Sequence, residues 1–216
     1  EHLALETAEA CARKGVKALV TLTSGFAEAG EQGIANQARL KKIGKDAGMR
    51  IIGPNCLGYF NPKNHIYATF STSFTHGMPK VGNVGMVSQS GAFGSHCFVL
   101  GREKGIGFSY WVTTGNEVDV DVAECIAFMS QDPGTDVICA YIEGCKDGAR
   151  LEEALRLAYE ARKPVLIQKV GRSDVGTQAA ASHTASLTGA DQVYDAVFER
   201  YNAYRCLTVD ELIDIT

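Results

Sequence analysis

The chain has 216 residues, 45% of them hydrophobic and 21% charged, a composition that excludes a disordered or fibrous segment and allows one or two packed cores. A formal net charge of -4 at pH 7 supplies no basic field for a polynucleotide, and no run of Lys and Arg is interleaved with aromatics. Apolar stretches such as Val16 to Leu22 and Val165 to Ile167 fall far short of the roughly 20 residues needed to cross a bilayer.

In chain order, Leu3 to Lys14 reads as an amphipathic helix ending at Gly15 rather than as a secretory signal. A sequence that starts inside a helix and without Met suggests a fragment. Strand Val16 to Thr21, a Gly-rich turn from Ser24 to Gly33, helix Ile34 to Ala47 and strand Arg50 to Ile52 follow, and Gly53-Pro54-Asn55 stops that strand. Cys56 to Met78 is loop-rich, the expected exit from a first domain (1–78) into a second (79–216). The second domain then alternates regularly. Strands Val84 to Ser88, Phe108 to Thr113, Val137 to Ile142 and Val165 to Lys169 are separated by helices Gly91 to Glu103, Val120 to Met129 and Leu151 to Arg162. Helix Asp191 to Tyr201, a short strand around Tyr204 to Leu207 and a helix from Val209 close the chain. Strands apolar throughout, alternating with helices, predict an α/β fold with a flavodoxin-like, doubly wound parallel sheet covered on both faces. Ligands of such sheets bind at the carboxyl ends of the strands, so the loops after Val87, Thr113, Ile142 and Val170 should share one rim.

The seven cysteines (Cys11, Cys56, Cys97, Cys125, Cys139, Cys145 and Cys206) form no C-x-x-C pair and have no His at ligand spacing, so no metal site is expected. Unpaired thiols in odd number suit a reducing cytoplasm.

The chemistry should lie on the rim. Ser88-Gln89-Ser90-Gly91-Ala92 opens a helix, where hydroxyls and backbone N–H groups form an anion site or simply cap the helix. Glu143 follows an apolar strand, where a carboxylate either escapes to solvent or meets a donor. Gly171 to Ala190 is about twenty residues without a regular period, rich in small residues, and carries His183. Carboxylate, imidazole and helix start on one rim have a phosphoryl-relay logic. A neutral imidazole is a nucleophile whose tautomer a carboxylate can fix, and a helix N-terminus can hold the resulting phosphate charge.

Five stretches in order over most of the chain are similar to the succinyl-CoA synthetase alpha-subunit superfamily, and within it to the nucleotide-diphosphate-forming acetate-CoA ligases: Gly53-Pro54-Asn55-Cys56-Leu57-Gly58, Ser88-Gln89-Ser90-Gly91-Ala92, Gly115 to Asp121, Tyr141-Ile142-Glu143-Gly144 and Ser182 to Gly189. The resemblance implies an acid-thiol ligase region that interconverts acyl-CoA, NDP and phosphate with acid, CoA and NTP through an acyl phosphate and phospho-His183. It implies that Glu143 orients His183, that Ser88, Ser90 and Gly91 bind the phosphoryl group, and that residues 1–78 are the C-terminal half of a CoA-binding Rossmann domain. There Thr23, Ser24, Gly25, Pro54, Asn55 and Cys56 would line the pantetheine arm. CoA and ATP or GTP with Mg2+ are the implied cofactors, the nucleotide being bound by an ATP-grasp subunit or domain, and an oligomer is expected. In the Gly115 to Asp121 loop, Asn116 or Asp119 is expected to cap the next helix. Two rival readings are a non-catalytic acyl-CoA-sensing module of an acyltransferase and a serine hydrolase using Ser90 with Asp147 and His183.

Overall fold

The computed structural model describes residues 2–171 and 191–216. The chain opens with α1 (His2–Arg13), β1 (Ala18–Val20), α2 (Glu31–Ala47) and β2 (Arg50–Ile52). β1 and β2 pair in parallel with Leu19 opposite Ile51, so α2 is the crossover of one βαβ unit. Gly48 ends α2 in the left-handed region at φ 60°, which lets the Met49 N–H close on the Gly44 carbonyl at 2.8 Å. Leu5, Ala8, Phe26, Leu40, Met49 and Ile51 form the core of this unit, and Val118 reaches into it from far along the chain.

β3 (Gly58–Asn61) and β4 (Ile66–Thr69) form an antiparallel hairpin, and β3 continues antiparallel onto a strand of the large sheet. The stretch from Cys56 to Met78, expected to be a loop-rich exit from the first domain, thus carries two strands of the large sheet. Asn61 accepts the Asn64 N–H at 3.0 Å and His65 sits at φ 55°, which makes Asn61 to His65 the hairpin turn. The sheet therefore starts upstream of the expected boundary at residue 79.

The elements that follow are β5 (Val81–Ser88), α3 (Gly91–Glu103), β6 (Phe108–Thr113), α4 (Val122–Gln131), β7 (Val137–Ile142), α5 (Gly148–Glu160), β8 (Val165–Lys169), α6 (Asp191–Arg200), β9 (Tyr204–Arg205) and α7 (Val209–Ile215). The seven strands of this sheet run β4-β3-β6-β5-β7-β8-β9, parallel from β6 to β9. That is the 2-1-3-4-5 order of a flavodoxin-like sheet, with its chain-order reversal between β5 and β7. Successive strand residues feed opposite faces. Val87, Ile138, Ala140, Ile142, Val165 and Ile167 pack under α4, α5 and α6, while Met86, Cys139 and Leu166 pack under α3 and α7. Two buried faces explain why these strands carry no polar alternation. The α3 side is sealed by the hairpin, where Phe60 stacks on Trp111 at 5.1 Å and 8° and meets Phe98 and Phe74 edge-on.

The two units are joined by the loop after β6, which runs alongside the end of β2. Val120 N–H donates to Ile51 O, Val118 N–H to Gly53 O and Asn116 N–H to Pro54 O at 2.9–3.1 Å. Arg50 forks onto Asp119 at 2.8 and 3.3 Å, and Asp119 also accepts the Ile51 N–H. The cap of α4 is Asp121, taking the Glu124 N–H at 2.8 Å, and not Asn116 or Asp119, whose side chains serve the junction instead.

Candidate active site

The parallel strands bring their carboxyl ends to one edge, and the first residues beyond them are tied together there. Thr114 N–H donates to Ser88 O, Gln89 N–H to Tyr141 O and Val170 N–H to Ile142 O, at 2.9–3.2 Å. A cleft of about 280 Å³ opens on this edge between the two units. Its wall includes Ser24, Asn55 and Cys56 from the first unit, and Ser90, Gly91 and Glu143 from the second. Four sequence regions, each more than thirty residues from the next, thus meet in one concavity, at the point where the strand order reverses.

The first-unit wall is set by backbone and amide bonds. Asn55 occupies the left-handed region at φ 56°, its N–H donates to Thr23 O at 2.9 Å, and its amide donates to Asn116 Oδ1 at 3.2 Å. Asn116 in turn donates to Gln37 at 2.9 Å and to Glu28, and Glu28 accepts the N–H groups of Gly25 and Phe26. Partial burial works to raise the Glu28 carboxyl, yet the Asn116 and backbone bonds hold it below its usual range. Thr23, Gly25 and Pro54 do not line the cleft; Thr23 O accepts the Asn55 N–H, Pro54 O accepts the Asn116 N–H and the Gly25 N–H donates to Glu28. Cys56 is buried, its Sγ lies 3.6 Å from Thr21 O, and burial pushes its thiol up to about 11, so it contributes volume and no thiolate.

On the second-unit wall, Ser90 caps α3 by accepting the Phe93 N–H at 3.2 Å, and Gly91 and Ala92 bring the start of α3 to the cleft. A Cβ on Gly91 would stand 2.7 Å from Leu57 Cγ, so glycine lets the start of α3 pack closely against the segment that leads into β3. Ser88 is fully buried and its hydroxyl donates to Ser90 O at 2.6 Å; it shapes the loop from below, where a direct phosphate contact had been expected. Glu143 is buried, with its N–H on Gln89 Oε1 and its carbonyl on Lys169 Nζ. His183 lies outside the described residues.

The sequence alone assigned no role to Gln89, Glu117 or Lys169, although all three are buried polar groups at this edge. The signals were a Gln enclosed in a serine-glycine turn and a Lys closing a strand that opens with Val165, Leu166 and Ile167. Glu117 accepts from Gln89 at 2.9 Å, from Thr114 at 3.0 Å and from the Val122 N–H at 2.9 Å. Burial nevertheless raises its carboxyl to about 7.

The geometry opposes the hydrolase reading of Ser90. A nucleophile elbow needs a strained turn, whereas Ser90 has ordinary extended angles of φ -91° and ψ 125°. Asp147, the proposed triad acid, is the cap of α5 and accepts the Arg150 N–H at 3.1 Å.

Residues 81–216 match the succinyl-CoA ligase like flavodoxin domain. The chain belongs to that family. It is 40% identical over 95% of its length to acetate–CoA ligase [ADP-forming] II subunit alpha of Pyrococcus furiosus, covering 44% of that protein. With acetate–CoA ligase [ADP-forming] of Methanocaldococcus jannaschii it shares 39% identity over 96% of its length and 28% of that protein. The solved dinucleotide forming acetyl-coenzyme A synthetase 1 of Ca. Korarchaeum cryptofilum, in complex with phosphate and ADP, superposes with a TM-score of 0.89 at 33% identity, over 97% of this chain and 44% of that one. The chain therefore spans less than half the length of these relatives. Among the described residues, no helix is long and apolar enough to cross a membrane.

Proposed function

We propose that the chain is the CoA-facing, phosphoryl-accepting region of an NDP-forming acid–CoA ligase, which interconverts acyl-CoA, NDP and phosphate with acid, CoA and NTP by way of phospho-His183. The observation that carries this reading is the single cleft holding Ser24 and Asn55 opposite Ser90, Gly91 and Glu143. Apolar Leu22, Leu57 and Phe70 beside polar Ser24 and Asn55 suit the slender thiol end of CoA, with carbons for the hydrocarbon arm and polar groups for its amides. CoA supplies the thiol that takes up the acyl group. The start of α3 faces an anion with its N–H groups and positive dipole end. Glu143 is the carboxylate that fixes the tautomer of the His183 imidazole, leaving its far nitrogen nucleophilic. NTP and Mg2+ belong to an ATP-grasp part in the same polypeptide or a partner subunit.

Incubation of the full-length enzyme and its ATP-grasp part with γ-labelled ATP should leave acid-labile, base-stable phosphate on the protein. His183→Ala should abolish both label and turnover, and Glu143→Gln should slow labelling on the order of 10²-fold. Normal turnover by the His183→Ala enzyme overturns the reading. A His183→Ala protein that still binds acyl-CoA and fully relays a regulatory signal assigns the fold to sensing instead.

A further inference from the structure

The peptide that carries Glu143 is gripped on both sides by buried side chains from other strands. Gln89, beyond β5, accepts the N–H of Glu143 at 2.5 Å and that of Gly144 at 3.0 Å, and donates to the Gly144 carbonyl at 2.8 Å. Lys169, at the end of β8, donates to the Glu143 carbonyl at 3.1 Å and also to the Val170 carbonyl, with its ammonium 4.7 Å from the centre of the Tyr194 ring. Gln89 is 8% exposed and Lys169 3%.

The Gln89 amide has one permissible orientation. Flipping it would set its NH2 group against two N–H donors and its oxygen against the Gly144 carbonyl and the Glu117 carboxylate. Glu117 therefore locks Gln89, and is itself fixed by Thr114 and the Val122 N–H. Lys169 is equally telling. Burial pushes its ammonium down from its ordinary value, a cost that an apolar side chain of similar length would avoid. What the apolar chain would lose is the grip on the Glu143 carbonyl.

We propose that Gln89, locked by Glu117, and Lys169 are positioning residues that set the plane of the Glu143 peptide and hence the direction in which its carboxylate meets the cleft. The inference rests on the acid–CoA ligase reading of that cleft. Swivelling this peptide carries the carboxylate oxygens with it, and a displacement of about 1 Å at a reacting group costs on the order of 10²-fold in rate.

The test uses the full-length enzyme with its ATP-grasp part and the near-isosteric variants Gln89→Met and Lys169→Met. Each should lower kcat by about 10- to 100-fold per folded enzyme while the KM values for CoA and the carboxylic acid move less than about threefold. In a Glu143→Gln background, Gln89→Met should cost less than about twofold, because the group it positions has already been altered. If Gln89→Met does not fold, Lys169→Met, alone and in the Glu143→Gln background, serves in its place. A kcat unchanged in both single variants, or full additivity with Glu143→Gln, overturns the proposal. The two failures are distinguishable. Wild-type enzyme that takes up no acid-labile phosphate from ATP removes the ligase reading, whereas wild-type labelling with variants labelling equally fast removes only the positioning role.

Discussion

At the residue scale, Glu117 makes the clearest prediction. Its folded value of about 7 lies above its ordinary 4.5, because burial outweighs the donors around it. The folded chain thus binds this proton more tightly than the unfolded one. The stability so contributed is fully present below about pH 4.5 and is lost as pH rises through about 7, by an amount on the order of 3 kcal/mol. A proton on Oε1 has a destination, since Thr114 can accept it and turn its own hydroxyl toward Ser88 O at 3.4 Å. Glu117→Gln has no such freedom, as one end of its amide always meets a donor, either Gln89 or the Val122 N–H. Urea unfolding at pH 5 should therefore show the variant less stable than wild type, with the gap narrowing by roughly 2 to 3 kcal/mol by pH 8. A gap independent of pH would show that Glu117 is ionised throughout.

At the element scale, the loop after β6 decides how the βαβ unit sits on the sheet. Gly115 lies at φ 58°, and a Cβ there would stand 2.2 Å from Pro54 O and 2.4 Å from Asn55 O. Both atoms are backbone and cannot rotate aside. Gly115→Ala should lower unfolding stability by about 2 to 4 kcal/mol and weaken CoA binding, since the displaced turn carries Asn55. Thermal melts and isothermal titration with CoA on the full-length protein would check this; unchanged affinity would mean that the turn does not contact the ligand. The start of α4 offers a smaller, separable effect. Asp121 both caps the helix and meets Arg150 at 2.9 Å across to α5. Asp121→Ala should cost about 1 to 2 kcal/mol and Asp121→Asn less, because Asn retains the cap and loses only a half-exposed ion pair.

At the scale of the whole molecule, the hairpin of β3 and β4 belongs to the large sheet by every packing criterion. Phe60 is fully buried among Phe74, Phe98, Phe108 and Trp111, and removing it uncovers the α3 face of the sheet. Phe60→Ala should cost about 3 to 5 kcal/mol in denaturant unfolding. For the same reason a protein starting at residue 79 should melt well below one starting at Cys56, and equal melting temperatures would show the hairpin to be an appendage.

The parallel core was legible in the chain's own pattern. Strands apolar throughout, such as Val137–Ile142, announce burial on two faces, and Ser90 was readable as a cap at the start of α3. The rim followed from the same rule, because parallel strands must bring their carboxyl ends to one edge. Other features became visible only once distant segments had packed together. Gly58–Asn61 and Ile66–Thr69 are too short and too polar at their ends to declare themselves until an aromatic face receives Phe60. Asp119 looked like a cap and became a junction because Arg50, sixty-nine residues away, stood opposite it. Gln89, Glu117 and Lys169 gained their meaning only when three loops converged on one peptide. A local pattern records which face of an element is apolar, whereas a buried hydrogen-bond network depends on partners that chain order does not place side by side.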